Sequence, residues 1–219
     1  MLIKRICNKL SYLYSKHILR HIYSVRYRNY GFRCEGVLMN CQLNIQGAGH
    51  KIHIGKGCVL RNTRIEIAGE NHTFVIGENT KFYDSSRIRM GDSHGVNSIG
   101  RNLAVSDIFL TTADVNNKIT IGDDCLISAK VIVRGSDGHS IIDDSTGRRI
   151  NPAKDVTIGD RVWIGYGVTI LKGSVIGDDS VIGTNALVSG NIPAHSVAVG
   201  FPAKVIKENI SWKEERIKS

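Results

Sequence analysis

Residues 158–192 read IGDRVWIGYGVTILKGSVIGDDSVIGTNALVSGNI and keep a strict six-residue period. An aliphatic residue opens each unit, and the fifth position of each unit is mostly small or β-branched. The opening residues are Ile158, Ile164, Ile170, Ile176, Ile182 and Val188. Because an α-helix repeats about every 3.6 residues and a strand every second residue, a period of six predicts short strands separated by sharp corners. Stacked units of this kind bury each aliphatic side chain against its counterpart one coil away, which predicts a solenoid.

Ile-Gly pairs continue the pattern upstream at a longer spacing. They begin at residues 54, 76, 99 and 121, which are separated by 22, 23 and 22 residues. Three six-residue faces make a coil of about 18 residues, so each of these coils carries about four or five extra residues as a loop. The step from Ile121 to Ile158 is 37 residues, which is one coil plus an insertion of about 19. The spacing predicts six coils, with a weaker one around residues 37–48.

The cysteines and the first residues of the chain bear on its compartment. Five scattered cysteines form no Cys-x-x-Cys pair, which argues against a disulfide framework and for a reducing compartment. Cys58 and Cys125 occupy small inward positions of their units, so we expect packed thiols rather than nucleophiles. Basic residues interrupt every apolar run near the start, and no run approaches the length of a membrane span. These features predict a cytoplasmic protein.

The positive charge is concentrated in an N-terminal arm. Residues 1–34 hold eight basic residues and no acidic one, while the whole chain has a net charge of +9. Apolar side chains recur in the arm at helical spacing: Ile3, Ile6, Leu10, Leu13, Ile18, Ile22 and Val25. This amphipathic helix could dock over the open end of the solenoid, or rest on an anionic membrane surface. Nucleic acid is not an expected partner, because no basic patch with stacking aromatics continues into the body.

Three segments resemble the bacterial hexapeptide-repeat acyltransferases. They are residues 135–141 (GSDGHSI), 162–165 (VWIG) and 199–206 (VGFPAKVI). Within that family, the pattern looks most like the sugar and polysaccharide O-acetyltransferases. The resemblance covers about residues 37–207 and implies an all-β fold, a left-handed parallel β-helix. On this basis we divide the chain into the arm (1–34), the β-helix domain (35–207) with a catalytic loop at 134–157, and a C-terminal tail (208–219) that is either a short solvated helix or a disordered end.

His139 lies near the start of the long insertion and is the candidate catalytic base. Acetyl transfer from a thioester to a hydroxyl needs a base, since an alcohol is almost fully protonated at neutral pH and an imidazole titrates near that pH. The alternative is a solvated loop histidine. The other histidines lack such a setting, and we expect His50 and His53 on the surface. No matched set of histidines spans neighbouring coils, so we expect no metal.

The family resemblance implies acetyl-CoA as the acyl donor. Trp163 would lie against the donor or the acceptor, with its indole N–H available to the thioester carbonyl, or would simply cover the returning loop. Gly165 and Gly183, 18 residues apart, would stack and leave a shallow groove for the pantetheine arm. Lys204 would meet the nucleotide phosphates. These residues are the candidate donor site.

Other residues of the insertion are candidates for binding the acceptor or orienting the base. Ser136 and Asp137 are the candidate acceptor-binding residues. Asp137 could equally orient His139 or serve as a turn residue, since Ser-Asp-Gly favours turns. Asp143 and Asp144 could also orient the imidazole, and the sequence does not distinguish among these acids.

Together these features predict an acetyl-CoA-dependent O-acetyltransferase. Its acceptor would be a sugar hydroxyl of a bacterial surface polysaccharide (capsule, O-antigen or exopolysaccharide) or of its precursor. The resemblance further implies a homotrimer with sites between neighbouring subunits. The alternatives are an N-acetyltransferase of a nucleotide-linked amino sugar, an antibiotic acetyltransferase, and a non-catalytic β-helix scaffold.

Overall fold

The computed structural model describes residues 10–217, and the strands in this range form three mainly parallel sheets wound into a β-helix. Within these residues, sheet A contains β1 (Phe32–Cys34), β4 (Lys51–Ile54), β7 (Thr73–Ile76), β10 (Val96–Ile99), β13 (Lys118–Ile121), β16 (Val156–Ile158), β19 (Val175–Ile176) and β22 (Asn191–Ile192). Sheet B contains β2 (Val37–Met39), β5 (Val59–Arg61), β8 (Lys81–Phe82), β11 (Ala104–Val105), β14 (Leu126–Ile127), β17 (Trp163–Ile164), β20 (Val181–Ile182), β23 (Val197–Val199) and β24 (Lys204–Lys207). Sheet C contains β3 (Gln42–Ile45), β6 (Arg64–Ile67), β9 (Arg87–Met90), β12 (Ile108–Thr112), β15 (Val131–Arg134), β18 (Thr169–Ile170) and β21 (Leu187–Val188).

The chain visits sheets A, B and C in turn, so each coil places one strand in every sheet. Seven complete coils are followed by β22 and β23, and β24 then pairs antiparallel with β23. The β-helix that the six-residue period predicts is therefore confirmed. Strands β2 and β3 fall within the weaker coil expected around residues 37–48. The first strand starts at Phe32, inside the range 1–34 that the sequence assigns to the arm.

Like side chains stack on one another along the β-helix and form its core. In sheet A, for example, Ile54 is in register with Ile76, and Ile158 with Ile176. All four side chains are essentially inaccessible to solvent. Burying an isoleucine side chain contributes about 1.5–3 kcal/mol, so the repeated column of aliphatic residues supplies the main driving force for stacking.

Glycine at the corners of the β-helix lets successive coils approach closely, because it has no Cβ atom. A Cβ atom built on Gly122 would lie 2.6 Å from the carbonyl oxygen of Gly159 in the next coil. The residue after Gly122 also bonds to the next coil, because a carboxylate oxygen of Asp160 accepts from the amide of Asp123 at 2.7 Å. The Ile-Gly pairs of the sequence therefore mark positions where only glycine fits.

The extra residues of the longer coils all leave the β-helix between sheets C and A, an edge we call the C–A corner. They form short loops at 46–50, 68–72, 91–95 and 113–117. The long insertion, residues 135–155, leaves at the same corner because it joins β15 of sheet C to β16 of sheet A. The insertion is thus stacked on four shorter loops.

Two histidines of the C–A corner are buried and stacked, contrary to the surface position expected for His50. His50 is 4% exposed and His72 is fully buried, with ring centroids 5.4 Å apart and planes 12° apart. Nε2 of His72 lies 3.0 Å from the carbonyl oxygen of Ala68, and its Nδ1 accepts from the amide of Gly95 at 3.1 Å. This arrangement requires neutral His72 with the proton on Nε2, and burial lowers the pKa of its imidazole.

The arm is helical and closes the N-terminal end of the β-helix through tyrosines. Residues 10–14 are α-helical and are followed by a π-helix (Ser15–Leu19), an α-helix (Arg20–Arg26) and a 3₁₀ turn (Arg28–Tyr30). The hydroxyl of Tyr23 donates to the carbonyl oxygen of Cys41 at 2.9 Å, and that of Tyr27 to the carbonyl oxygen of Leu43 at 2.6 Å.

The aliphatic side chains of the arm, which could have docked onto the open end of the β-helix, point into solvent instead. Its members Leu10, Leu13, Ile18, Ile22 and Val25 are all exposed, whereas Ile3 and Ile6 lie outside the described residues.

The tail forms no helix over residues 208–217, which corrects the short helix considered from its sequence. It returns along the corner between sheets A and B, where the amide of Ile210 donates to the carbonyl oxygen of His195 at 3.0 Å. The ring of Trp212 lies 6.1 Å from that of Trp163. The indole N–H of Trp212 donates to the carbonyl oxygen of Arg161.

The buried His72 makes stability depend on pH. A histidine in the unfolded chain takes up a proton near pH 6.5, whereas the lowered pKa of His72 keeps the folded protein from doing so until lower pH. The free energy of unfolding should therefore fall as the pH drops below about 6.5. His72→Asn should weaken this dependence, because asparagine does not titrate and Asn117 occupies the same corner position two coils further on.

Urea unfolding of both proteins between pH 7.5 and 5.5 measures the effect. His139→Ala, which removes an exposed histidine, should retain the wild-type pH dependence. Equal slopes for wild type and His72→Asn would contradict the assignment.

Candidate active site

The long insertion is an ordered excursion from the C–A corner. Its two sides pair through an antiparallel bridge between Ile142 and Arg149, and the amide of Ile150 donates to the carbonyl oxygen of Ile141 at 2.9 Å. Asp143 closes the tip, because one carboxylate oxygen accepts from the amide of Ser145 at 3.0 Å and from that of Thr146 at 2.9 Å. Asp143 is therefore engaged in its own turn and does not hold the imidazole of His139.

One buried side chain, Asn151, ties together the strand of the loop that carries His139. Its Nδ2 donates to the carbonyl oxygen of His139 at 2.9 Å and to the carboxylate of Asp137 at 2.7 Å. Its Oδ1 accepts from the amide of Ile141 at 2.7 Å. The carbonyl of His139, the amide of Ile141 and the carboxylate of Asp137 are thus all held by one side-chain amide group, and Asn151 is 7% exposed.

Lys172, from the corner that follows β18, supports the loop from below. Its ammonium group lies 2.6 Å from the carboxylate of Asp137 and donates to the carbonyl oxygens of Asn151 and Pro152 at 3.1 and 3.0 Å. The hydrogen bond from Lys172, followed by the one from Asn151, lowers the pKa of Asp137. Asp137 is therefore ionised and occupied, and within the described residues it makes no hydrogen bond to the ring of His139.

The root of the loop is tied to the loop one coil before it. The carboxylate of Asp114 accepts two hydrogen bonds from the guanidinium of Arg149, at 3.0 and 2.7 Å, and a third from the hydroxyl of Ser136 at 3.2 Å. Arg149 lowers the pKa of Asp114. The hydroxyl of Ser136 also accepts from the amide of Gly138 at 3.1 Å. The side chain that stabilises the turn at residues 136–138 is therefore that of Ser136 and not that of Asp137.

His139 itself is exposed at the end of this framework. Within residues 10–217 its imidazole makes no hydrogen bond, although its backbone is fixed by Asn151. An exposed imidazole on an anchored backbone can take a proton from a ligand that approaches the C–A corner.

Trp163 lies on another side of the molecule. It projects outward from β17 in sheet B and is 39% exposed, beside Trp212 of the tail. In the triangular cross-section of a three-sheet β-helix, sheet B is opposite the C–A corner. The structure therefore does not bring Trp163 and His139 of one chain together.

The predicted donor residues lie at the B–C corner and on the final strand. Gly165 and Gly183 each follow a sheet B strand, and the amide of Gly165 donates to the carbonyl oxygen of Ile182, one residue before Gly183. The two glycines stack as their spacing predicts. A Cβ on Gly165 would lie 2.8 Å from that oxygen, so glycine is needed there for the corner itself. Lys204 is exposed on β24.

Other kinds of chemistry have little support in the described part of the chain. Burial raises the pKa of Cys58 to about 11 and that of Cys125 to about 12, so both remain thiols. Across residues 10–217, no three His, Cys, Asp or Glu side chains come together as a set that could hold a metal ion.

No helix in that range is long and apolar enough to cross a bilayer.

Sequence reasoning missed the residues that hold the loop. Asn151 is next to Pro152 at the end of the insertion, and Lys172 is 35 residues from Asp137, so no local motif connects them. The contact of the tail with Trp163 could have been suspected from the sequence, because Trp212 is the one aromatic residue in the highly charged tail.

Comparisons with known proteins agree with this architecture. Residues 155–190 match the bacterial transferase hexapeptide family (six repeats). A polysialic acid O-acetyltransferase of Escherichia coli O1:K1 is 43% identical over 114 residues, which make up 52% of this chain but only 37% of that protein. A polysialic acid O-acetyltransferase of Neisseria meningitidis is 33% identical over 177 residues, 78% of this chain and 79% of that protein. The crystal structure of the polysialic acid O-acetyltransferase OatWY superposes with a TM-score of 0.57 at 28% identity, covering 85% of this chain and 94% of that one.

The six-residue repeat, the three-sheet β-helix and the match over most of the Neisseria protein all lead to one assignment. The chain belongs to the bacterial hexapeptide-repeat acyltransferases, in the group of the O-acetyltransferases.

Proposed function

We propose that this enzyme transfers an acetyl group from acetyl-CoA to a sugar hydroxyl of a bacterial surface polysaccharide, or of its precursor. The observation that carries the proposal is the exposed imidazole of His139 on a loop anchored by Asn151 and Lys172. Two relatives named polysialic acid O-acetyltransferases support a glycan acceptor. The proposed place of action is the cytoplasm, at the inner face of the cytoplasmic membrane.

His139 acts as the general base in this proposal. Its neutral imidazole takes the proton of the acceptor hydroxyl while the hydroxyl oxygen attacks the thioester carbonyl. The carbon–sulfur bond then breaks, the ester forms, and the protonated imidazole returns its proton to the departing thiolate of coenzyme A. The acetyl group moves from sulfur to oxygen, and no other reactant is required.

The donor would lie along sheet B and the B–C corner. The stacked glycines Gly165 and Gly183 allow close approach of a pantetheine chain to the backbone. The indole N–H of Trp163 would reach the thioester carbonyl, where negative charge develops, and Lys204 would face the nucleotide phosphates. The side chains of Ser136 and Asp137 already have hydrogen-bond partners within the chain. They would therefore contribute to the acceptor site mainly by shaping the surface of the loop beside His139.

We propose that the working enzyme is a homotrimer. His139 and Trp163 lie on opposite sides of a single β-helix, so one chain cannot offer both to the same substrate. Packing the C–A corner of one chain against sheet B of its neighbour would bring the two residues together. A closed ring of three chains completes every site with the same contact.

Removal of the proposed base tests the central residue. His139→Ala should lower kcat by about 10²–10⁴-fold with little effect on stability, because the side chain is exposed. Steady-state transfer from acetyl-CoA to a polysialic acid acceptor, together with thermal unfolding, measures both. His53→Ala, which removes a half-buried histidine of the second coil that pairs with Glu35, should keep wild-type kcat. A fully active, folded His139→Ala enzyme would disprove the assignment.

Asn151 should act as a positioning residue. Asn151→Ala removes four hydrogen bonds, three of them around His139 and one from Arg149, each worth about 1 kcal/mol. The change frees the loop without touching the coil below. We expect kcat to fall about tenfold or more, with the KM for acetyl-CoA nearly unchanged, because the donor would bind along sheet B.

Hydrogen exchange of residues 136–150 should rise in the same variant. Asn44→Ala, an exposed change on the first coil, is the matched control. If Asn151→Ala changed the KM for acetyl-CoA and left kcat intact, the positioning role would be wrong.

A further inference from the structure

Within the described residues, the arm helix has two rows of largely apolar side chains on different sides, and one of these rows packs against the β-helix. The row that faces the body recurs every three or four residues, as one side of a helix does. Its members, all buried or half-buried, are Tyr12, Ser15, Leu19, Tyr23 and Tyr27. The hydroxyls of Tyr23 and Tyr27 donate to backbone carbonyls of the first coil. The orientation of the arm is therefore fixed by its polar aromatic side.

The second row is aliphatic and points away from the protein. Its exposed fractions are 61% for Leu10, 43% for Leu13, 48% for Ile18, 47% for Ile22 and 62% for Val25. A continuous row of large aliphatic side chains in water is unfavourable, and such patches usually mark an interaction surface.

The charge around this row identifies the kind of partner. Residues 1–34 contain eight basic residues and no acidic one. Lys16 and Arg26 are exposed on the described helix, and Arg28 is exposed on the 3₁₀ turn that follows it. A second copy of the arm would bring the same positive charge, so two arms would repel each other. A surface that is both apolar and negatively charged satisfies both features of the arm.

We propose that the arm lies in the interface of a membrane rich in anionic lipid. The aliphatic row would enter the boundary between headgroups and acyl chains, and the lysines and arginines would contact lipid phosphates. The tyrosine row would remain on the first coil, so the arm both closes the β-helix and attaches it to the membrane. This inference is independent of the chemistry proposed for His139.

Sedimentation with lipid vesicles tests the proposal. The full chain should bind vesicles of mixed phosphatidylglycerol and phosphatidylcholine and should bind poorly to phosphatidylcholine alone, with affinity falling as salt is raised. Replacing Ile18 and Ile22 together by glutamate should weaken binding about tenfold or more, since both side chains then leave the apolar phase. The change should leave thermal stability near that of the wild type, because both positions are exposed.

The control is Val175→Glu on sheet A, where the aliphatic side chain is 44% exposed, and this variant should retain vesicle binding. Failure of the wild type to bind phosphatidylglycerol vesicles would overturn the proposal, as would equal binding by the Ile18→Glu, Ile22→Glu variant. A drop in molecular mass of that variant in analytical ultracentrifugation would also overturn it, since the row would then join copies of the chain. Transfer to a soluble acceptor without vesicles reports separately on the proposed function.

Discussion

Every part of this structure depends on the register between stacked coils. The backbone amide of one coil donates to the carbonyl of the next, while an isoleucine packs on an isoleucine at the same position. Any side chain therefore has a fixed neighbour one coil away, whether that neighbour is 18, 22 or 37 residues distant in sequence. Residues placed on one edge of the helix remain on that edge.

The candidate site uses this register to hold a loop that lies outside the core. Insertions are tolerated at the C–A corner, and the loops there are linked from coil to coil. Asp92 accepts from the amide of Asp114, Asp114 binds Arg149 and Ser136, and Lys172 holds Asp137 from the next coil. The rigid coils thereby position an exposed imidazole, and the same rigidity keeps Trp163 of that chain away from it.

The repeat predicted most of the fold, because a six-residue period has few structural solutions and glycine corners mark its edges. The loop that holds His139 could also be located, since the step from Ile121 to Ile158 is too long for one coil. The partners of that loop could not be found in this way. The contact between Lys172 and Asp137 depends on how the insertion folds back, and the burial of His50 depends on a stack with His72 that has no sequence motif. The arm showed its amphipathic character, but not which of its two apolar rows would dock.

The central claim is that His139 of one chain works with Trp163 of its neighbour. Mixed trimers test it most directly: His139→Ala and Trp163→Ala chains are prepared separately, unfolded, and refolded together. If neighbouring chains share a site, some interfaces in the mixture pair an intact His139 with an intact Trp163, and acetyl transfer should rise well above that of either variant alone. If the mixture shows only the average activity of the two variants, the two residues do not meet between chains.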